Sequence, residues 1–381
     1  MYPTKLFTPE KTAPSGLCNS FFLIKILLLP LSGIRFFPLK TILQAGGLLL
    51  LILLVSLPGW CEDSDGLKTF RVFYENDLFG DTDRYYSNAL QMTWLSKDLK
   101  QYKNDVRLPP WSLPLIRAVP FAHVPGSTHN IGLLFGHQIY TPADIAATDL
   151  QTDDRPYAGY LYAGIALHSK TPTKLDTIEI ALGLVGPAAL GEQVQNTVHD
   201  LRHIAEARGW DHQLANEPAV RFSWQRKWRN HRAMLTDILC YDLLSHTGVT
   251  LGNVRTGADA GVEIRMGYNI PMDFGSDVIR PGAGVSAPVT MFGYPRIPAF
   301  GVHVFAGVRA EAVFRDIFLD GNTWKSRHSV DKKLLVGELS AGIAATYKRI
   351  KLTYRHVFRT KQFDNQSRGH VVGSLAMTIS F

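Results

Sequence analysis

"SLAMTISF", residues 374–381, alternates strictly in polarity. Leu375, Met377, Ile379 and Phe381 share one parity, while Ser374, Ala376, Thr378 and Ser380 share the other. Successive side chains of a strand point to opposite faces, so this segment is a strand with one apolar face and one small polar face. The same period recurs upstream. "DTIEIALGLV" (176–185) sets Ile178, Ile180, Leu182 and Leu184 against Thr177, Glu179, Ala181 and Gly183. "VGELSAGIAATY" (336–347) sets Leu339, Ala341, Ile343 and Ala345 against Glu338, Ser340, Gly342 and Ala344. "FGVHVFAGVRAEA" (300–312) sets Val302, Val304, Ala306 and Val308 against a face carrying His303, Arg309 and Glu311.

Charged side chains on the inner face would spoil a β-sandwich core, but they suit the polar lumen of a membrane barrel. A last strand that alternates and ends on Phe resembles the C-terminal signal of bacterial outer-membrane barrels. The barrel-assembly machinery is therefore an expected partner. The fold class expected is all-β: a closed antiparallel transmembrane β-barrel of about 12 strands. Strand candidates fall at 69–77, 87–96, 129–140, 158–169, 175–186, 218–229, 233–243, 245–267 (one or two pieces), 299–318, 333–347, 349–359 and 371–381. Trp94, Tyr160, Tyr162 and Tyr347 are candidates for aromatic girdles.

The remaining composition agrees. Of 381 residues only 19% are charged, and 32 are glycine, which suits β structure better than a helical bundle. The net charge of +7 is scattered, with no basic stripe, so a nucleic-acid partner is not expected and an anionic membrane surface is. Three cysteines, Cys18, Cys61 and Cys240, form no disulfide framework. Two apolar runs occupy residues 21–37 and 42–61, and the second reads as the apolar region of a secretory signal. Residues 1–61 are therefore expected to be an N-terminal extension and signal peptide, and 62–381 the barrel domain.

One segment breaks the alternation. "LGEQVQNTVHDLRHIAEARGW" (190–210) follows Pro187 and ends at Gly209, so a short helix is expected near residues 190–207. Helical spacing groups Gln195, His199, Arg202, His203 and Glu206 on one side. Val194, Val198, Leu201 and Ala205 form a second side, available for packing.

The polar knot "ENDLFGDTDRYYSN" (75–88) sits where the first two strands meet. Alternation turns Asp77 and Ser87 inward, near the ends of neighbouring strands, and leaves Asn76 on the other face. Hairpin turn chemistry is the alternative account of this knot, stronger for Asp81 and Asp83 than for Asn76 and Asp77. The oxygen-rich cluster also suits a hard cation such as calcium, although no EF-hand spacing is present. His199 is the best candidate general base, since imidazole titrates near neutral pH. Arg155, in "TDDRPYAG" (152–159), is placed to pair an aspartate or meet a phosphate. G-x-S-x-G, P-loop and H-E-x-x-H motifs are absent from the sequence, so a serine-hydrolase triad has no support.

Five ordered stretches, "ENDLFGDTDRYYSNALQMTW" (75–94), "DDRPYAG" (153–159), "GLVGPAALGEQVQNTVHDL" (183–201), "GWDHQLANEP" (209–218) and "FRTKQFDNQSRGHVVGSLAMTISF" (358–381), resemble the outer-membrane lipid A 3'-O-deacylases. The resemblance runs over roughly residues 69–381. It implies a twelve-stranded barrel and a calcium-dependent esterase that removes the 3'-O-linked acyl group of lipid A in lipopolysaccharide. The Asn-Asp pair of the family's site falls on Asn76 and Asp77, both implied calcium ligands. The hydroxyl residue falls on Ser87, where the family has Thr, and the histidine falls on His199. The family's glutamate falls nearest to Glu206, one residue beyond the family spacing, with an orienting role toward His199. Arg155 is the implied phosphate contact. Two other readings remain beside this one: an outer-membrane phospholipid esterase, and a non-catalytic structural barrel or pore.

Overall fold

Each alternating run becomes one strand of a closed antiparallel barrel. A computed structural model describes residues 68–77, 85–102, 124–203, 205–275, 278–280 and 299–381, with isolated positions 114, 116, 119 and 121. The expected N-terminal extension (1–61), with Cys18 and Cys61, lies outside the described residues, as do Asp81, Asp83 and Arg84. Twelve strands close the sheet: β1 (Thr69–Asn76), β2 (Tyr85–Leu95), β3 (Thr128–Thr141), β4 (Ala158–Lys170), β5 (Lys174–Val185), β6 (Glu217–Met234), β7 (Cys240–Gly252), β8 (Arg255–Tyr268), β9 (Phe300–Asp316), β10 (Leu335–Tyr347), β11 (Ile350–Arg359) and β12 (His370–Ser380). Every strand pairs with its sequence neighbours, and β1 pairs with β12 to complete the ring. Closure removes the exposed sheet edge that an open sheet presents. Lys68 and Phe381 exchange backbone hydrogen bonds of 2.7 and 2.9 Å at what we term the terminal rim. The opposite end is the far rim.

Two strands of the expected set are redrawn. Residues 218–243 were expected as two strands with a break near 230, but β6 runs unbroken to Met234. The ladder between β6 and β7 slips between Arg229 and His231, and this bulge flips the parity of the alternation midway. The expected 245–267 strand is two, split by the Asn253–Val254 turn.

The outer wall is apolar. Leu182, Leu184, Ile165, Val304, Leu339 and Ile343 all project outward and are exposed. Trp94 and Tyr347 stand on this wall near the terminal rim, where Trp94 packs on Phe70 at 4.9 Å and Tyr268 faces Phe300 at 6.3 Å. Tyr160 and Tyr162 are not girdle residues: both are buried on the lumen side of β4, their rings stacked at 4.7 Å. Their parity matches that of lumen-facing His168, which a list of aromatics does not reveal.

Among the described residues, ion pairs cross the lumen. Asp242 receives Arg229 at 2.5 Å, Arg265 at 2.5 Å and Arg232 at 3.3 Å. Glu338 gathers Arg280, Arg309 and Arg359. Arg221 binds Glu179 across strands at 2.7 Å. The connection after β8 turns back into the barrel: Asp273 pairs with Arg265 and Lys351, and Ile279 N–H donates to Glu75 Oε1 at 2.7 Å.

A candidate active site on the outer wall

The site is assembled at the far rim from β1, β2, β3 and the long β5–β6 connection. Its first element is an irregularity. The β2–β3 ladder slips between Tyr86 and Asn88, leaving Ser87 as the extra residue. Tyr86 turns into the lumen, where its hydroxyl donates to Glu75 Oε2 at 2.9 Å. The Ser87 hydroxyl instead meets that of Thr141 at 2.6 Å. Thr141 alternates with Tyr140, whose ring stacks on Phe318 inside the barrel at 3.9 Å. Ser87 therefore belongs to the outer wall, not to the inward face expected for it. The bulge is the physical reason, because one inserted residue reverses the parity on one side of it.

Asn76 shares that outer wall. Its side-chain amide donates to the Tyr74 hydroxyl at 3.3 Å, and Tyr74 lies opposite Leu90 and Leu375. Asp77 follows directly and is completely enclosed.

The helix α1 (Gly191–Arg202) lies against the outer surface of β3 and β4 at this end. His137 donates from Nε2 to the Ala189 carbonyl at 2.7 Å, anchoring the helix start. Two glycines allow the close approach: a Cβ on Gly159 would stand 2.9 Å from the Gly191 nitrogen, and one on Gly191 would stand 2.8 Å from the Trp210 ring. Trp210, Tyr157, Ala207 and Ile139 form a buried apolar cluster at the same place.

The helix is shorter than the expected 190–207. His203 adopts the left-handed conformation (φ 55°), and its N–H caps the carbonyls of His199 and Asp200. The chain then folds back along the helix. Ala207 N–H reaches Asn196 Oδ1 at 3.2 Å, and the Ala205 carbonyl lies 2.7 Å from His199 Nδ1. A carbonyl only accepts, so Nδ1 carries the proton, and in neutral imidazole the lone pair is then at Nε2. Glu206, expected to orient His199, is exposed beyond the helix end. The bond that fixes the ring comes from the main chain one residue earlier.

The orientation of α1 reverses the expected packing. Gln195 and His199 are buried against the barrel, whereas Val194 is 37% and Leu201 71% exposed. Leu190, just before the helix, is exposed as well. The polar side of the helix closes over the site.

Arg155 lies elsewhere. It is buried at the far end of the lumen, its guanidinium 4.9 Å from the Tyr140 ring centre and Nη2 3.5 Å from the Phe318 carbonyl. Burial lowers its pKa from the ordinary arginine value, opposed chiefly by Asp316. Among the described residues, no group of three or more His, Cys, Asp or Glu side chains is arranged to hold a metal ion. The Asp77 carboxylate and Asn76 amide are hard oxygen donors, which fits calcium in kind but supplies only part of its coordination. Sequence reasoning missed Thr141 and Gln195. Thr141 carries no motif of its own, and Gln195 was grouped with His199 but given no role.

Comparison with known proteins sharpens this picture. The family model described as "Outer membrane protein LpxR" matches residues 48–381. Among solved structures, LpxR from Salmonella typhimurium superposes with a TM-score of 0.64 at 17% identity, covering 82% of this chain and all of that one. The β domain of the Bordetella autotransporter BrkA gives a TM-score of 0.40 at 12% identity, covering 83% of this chain and all of that one. A sequence search of curated proteins finds no match.

Proposed function

Because this chain belongs to the LpxR family of outer-membrane proteins, we propose that it is an esterase that hydrolyses the 3'-O-linked acyl chain of lipid A, with His199 as general base and calcium as cofactor. The observation that carries the chemistry is the His199 ring, held by the Ala205 carbonyl so that Nε2 is the basic atom, on the helix face buried against the barrel. An imidazole so fixed presents Nε2 to take a proton from water. The water oxygen adds to the ester carbonyl, the acyl–oxygen bond breaks, and the proton returns through Nε2 to the departing sugar hydroxyl. The site lies on the outer wall, beside the membrane, where an acyl chain need not leave the hydrocarbon layer to react. Asp77 and Asn76 are the residues that would hold calcium, with backbone carbonyls and water completing its shell. When bound, calcium supplies positive charge for the oxygen that becomes negative during attack. The Ser87–Thr141 hydroxyl pair closes the strand side of the site. Arg155, enclosed in the lumen, is proposed to meet a lipid A phosphate only if the rim opens; its present contacts favour a role in packing the rim.

A pore is the weaker reading, since Asp242, Glu338 and their arginines cross the lumen. The deciding experiment is mass spectrometry of lipid A from cells expressing the chain, beside His199→Ala, with calcium and with chelator. Loss of one 3'-linked acyl unit, abolished by chelator and by His199→Ala, is expected. An unchanged spectrum from correctly inserted protein would overturn the proposal.

A further inference from the structure

The far rim is divided by charge. Three terminal-rim turns are short (171–173, 235–239 and 348–349), whereas the far rim carries the long connections 142–157, 186–216, 317–334 and 360–369. Outer-membrane barrels place short turns in the periplasm and longer loops outside, so the far rim meets the outer leaflet. The connections on the helix side, 142–157 and 186–216, hold eight carboxylates and three arginines. Those joining β9 to β10 and β11 to β12, 317–334 and 360–369, hold six lysines and arginines and three aspartates. Lys332 is taken up by Asp320 at 2.8 Å and Lys333 by Asp364. Lys325, Arg327, Lys361 and Arg368 are exposed, and among the described residues none of the four forms an ion pair.

The two basic connections are joined. Lys332 makes an isolated ladder contact with Phe363, and Lys333 N–H donates to the Gln362 carbonyl at 2.7 Å. Together they flank the candidate site from β11 and β12, while α1 flanks it from β3 and β4. β12 sets Gly373 against Asn76 of β1, and the Phe363 ring lies 5.8 Å from that of Tyr85, two residues before Ser87. The cations also meet the apolar wall here. Leu334 and Leu335, next to Lys333, are exposed, as is Trp324, next to Lys325. Tryptophan and lysine at the edge of an apolar wall are the chemistry of a membrane–water interface.

We propose that Lys325, Arg327, Lys361 and Arg368 bind the phosphate groups of a glycolipid headgroup in the outer leaflet, the occupant being lipid A. The inference rests on the reading above for the identity of the lipid and not on its hydrolysis. Phosphate oxygens accept charge-assisted hydrogen bonds from lysine and arginine. A free phosphate ion gains nothing from the adjoining wall, whereas a lipid gains from both layers. The acidic helix side repels the same groups. Screening over about 8 Å confines both effects to lipids in contact with the rim. A lipid seated beside the site therefore turns its phosphates toward the β11–β12 connection and away from α1. Arg155, enclosed in the lumen, is not needed for this contact.

The test uses the full chain in phospholipid nanodiscs, with His199→Ala in every binding sample so that the ligand is not consumed. Lipid A and dephosphorylated lipid A are titrated against this chain and against a form that also carries Lys325→Gln, Arg327→Gln, Lys361→Gln and Arg368→Gln. Lipid A is expected to bind about tenfold more tightly than its dephosphorylated form, by an advantage that falls as salt rises. The four substitutions should remove that advantage and leave the affinity for dephosphorylated lipid A unchanged. Each pair replaced alone, Lys325 with Arg327 or Lys361 with Arg368, should cost about threefold. Equal affinity of the unreplaced rim for the two lipids would overturn the inference, whatever the fold of the replaced forms. So would a phosphate preference that survives the substitutions in barrels with normal heat-shifted gel migration. Competition by equimolar inorganic phosphate would mark a site for a free ion and sink the lipid assignment. Hydrolysis is read separately on the chain with His199 intact. Binding as expected without acyl release ends the esterase reading and leaves this inference standing, whereas acyl release without phosphate preference ends this inference alone.

Discussion

The lumen and the cleft beneath α1 are both polar and both buried, yet they are built oppositely. In the lumen, carboxylates are saturated: Asp242 faces three arginines and Glu338 another three. In the cleft, the His199 ring is fixed by the Ala205 carbonyl, and Gln195 lacks a partner among the described residues. Saturation is what buried charge demands if it is to be tolerated at all. An amide left with bonding capacity is instead available to a reactant. The difference separates the part of the barrel that maintains its shape from the part proposed to act.

That contrast can be broken experimentally. The largest effect expected is on chemistry. His199→Ala should lower lipid A deacylation by about 10²–10⁴-fold, as removal of a general base does. It should leave heat resistance of the barrel intact, as read by gel migration. Asp242→Ala should do the reverse. It strands Arg229, Arg232 and Arg265 together, and a cost of about 3–5 kcal/mol is expected in denaturant unfolding. Activity per folded molecule should persist.

The lumen should also respond to acid. Burial by itself would raise the Asp273 carboxyl, but Lys351 and Arg265 hold it well below the usual carboxylate range. Its folded pKa is thus depressed. The stability it contributes is present above its unfolded pKa of about 3.9 and is lost as pH falls further. Lys351→Met should flatten that acid dependence in unfolding measured from pH 5 downward. Ser87→Ala should be milder, removing one hydroxyl pair at a cost of about 1 kcal/mol in transition-state binding or local stability. The two are separable by comparing kcat/KM with the unfolding midpoint. The smallest effect belongs to Glu206→Gln. With the carboxylate exposed and the His199 bond supplied by Ala205, activity should stay within about twofold. A large loss there would restore the carboxylate as the orienting group.

Much of the barrel was legible because alternation is a local property. β5, β9 and β10 present outward the residues that their sequence parity assigns. Failures cluster at bulges. Asn230 made one strand look like two, and Ser87 was assigned the wrong face, because a single extra residue reverses parity without changing composition. The N-terminal half of α1 was foreseeable from its lost alternation. Its end was not, because His203 in a left-handed cap has no sequence signal as strong as glycine would give.

The pattern along the chain specified the closed all-β architecture, the apolar outer wall and the charged lumen, and its short motifs carried the family resemblance that implies His199, Asn76 and Asp77 as site residues. These follow from periodicity and from ordered short stretches, both of which are written along the chain. The three-dimensional arrangement was needed to put Ser87 and Thr141 on the outer wall rather than in the lumen, to bury the polar side of the helix, and to bond the His199 ring to Ala205 rather than Glu206. Each of those outcomes depends on a bulge, a glycine-to-glycine contact or a fold-back of the main chain. Such features join residues far apart in sequence or turn on a single backbone dihedral, and neither is encoded in a pattern of side-chain polarity.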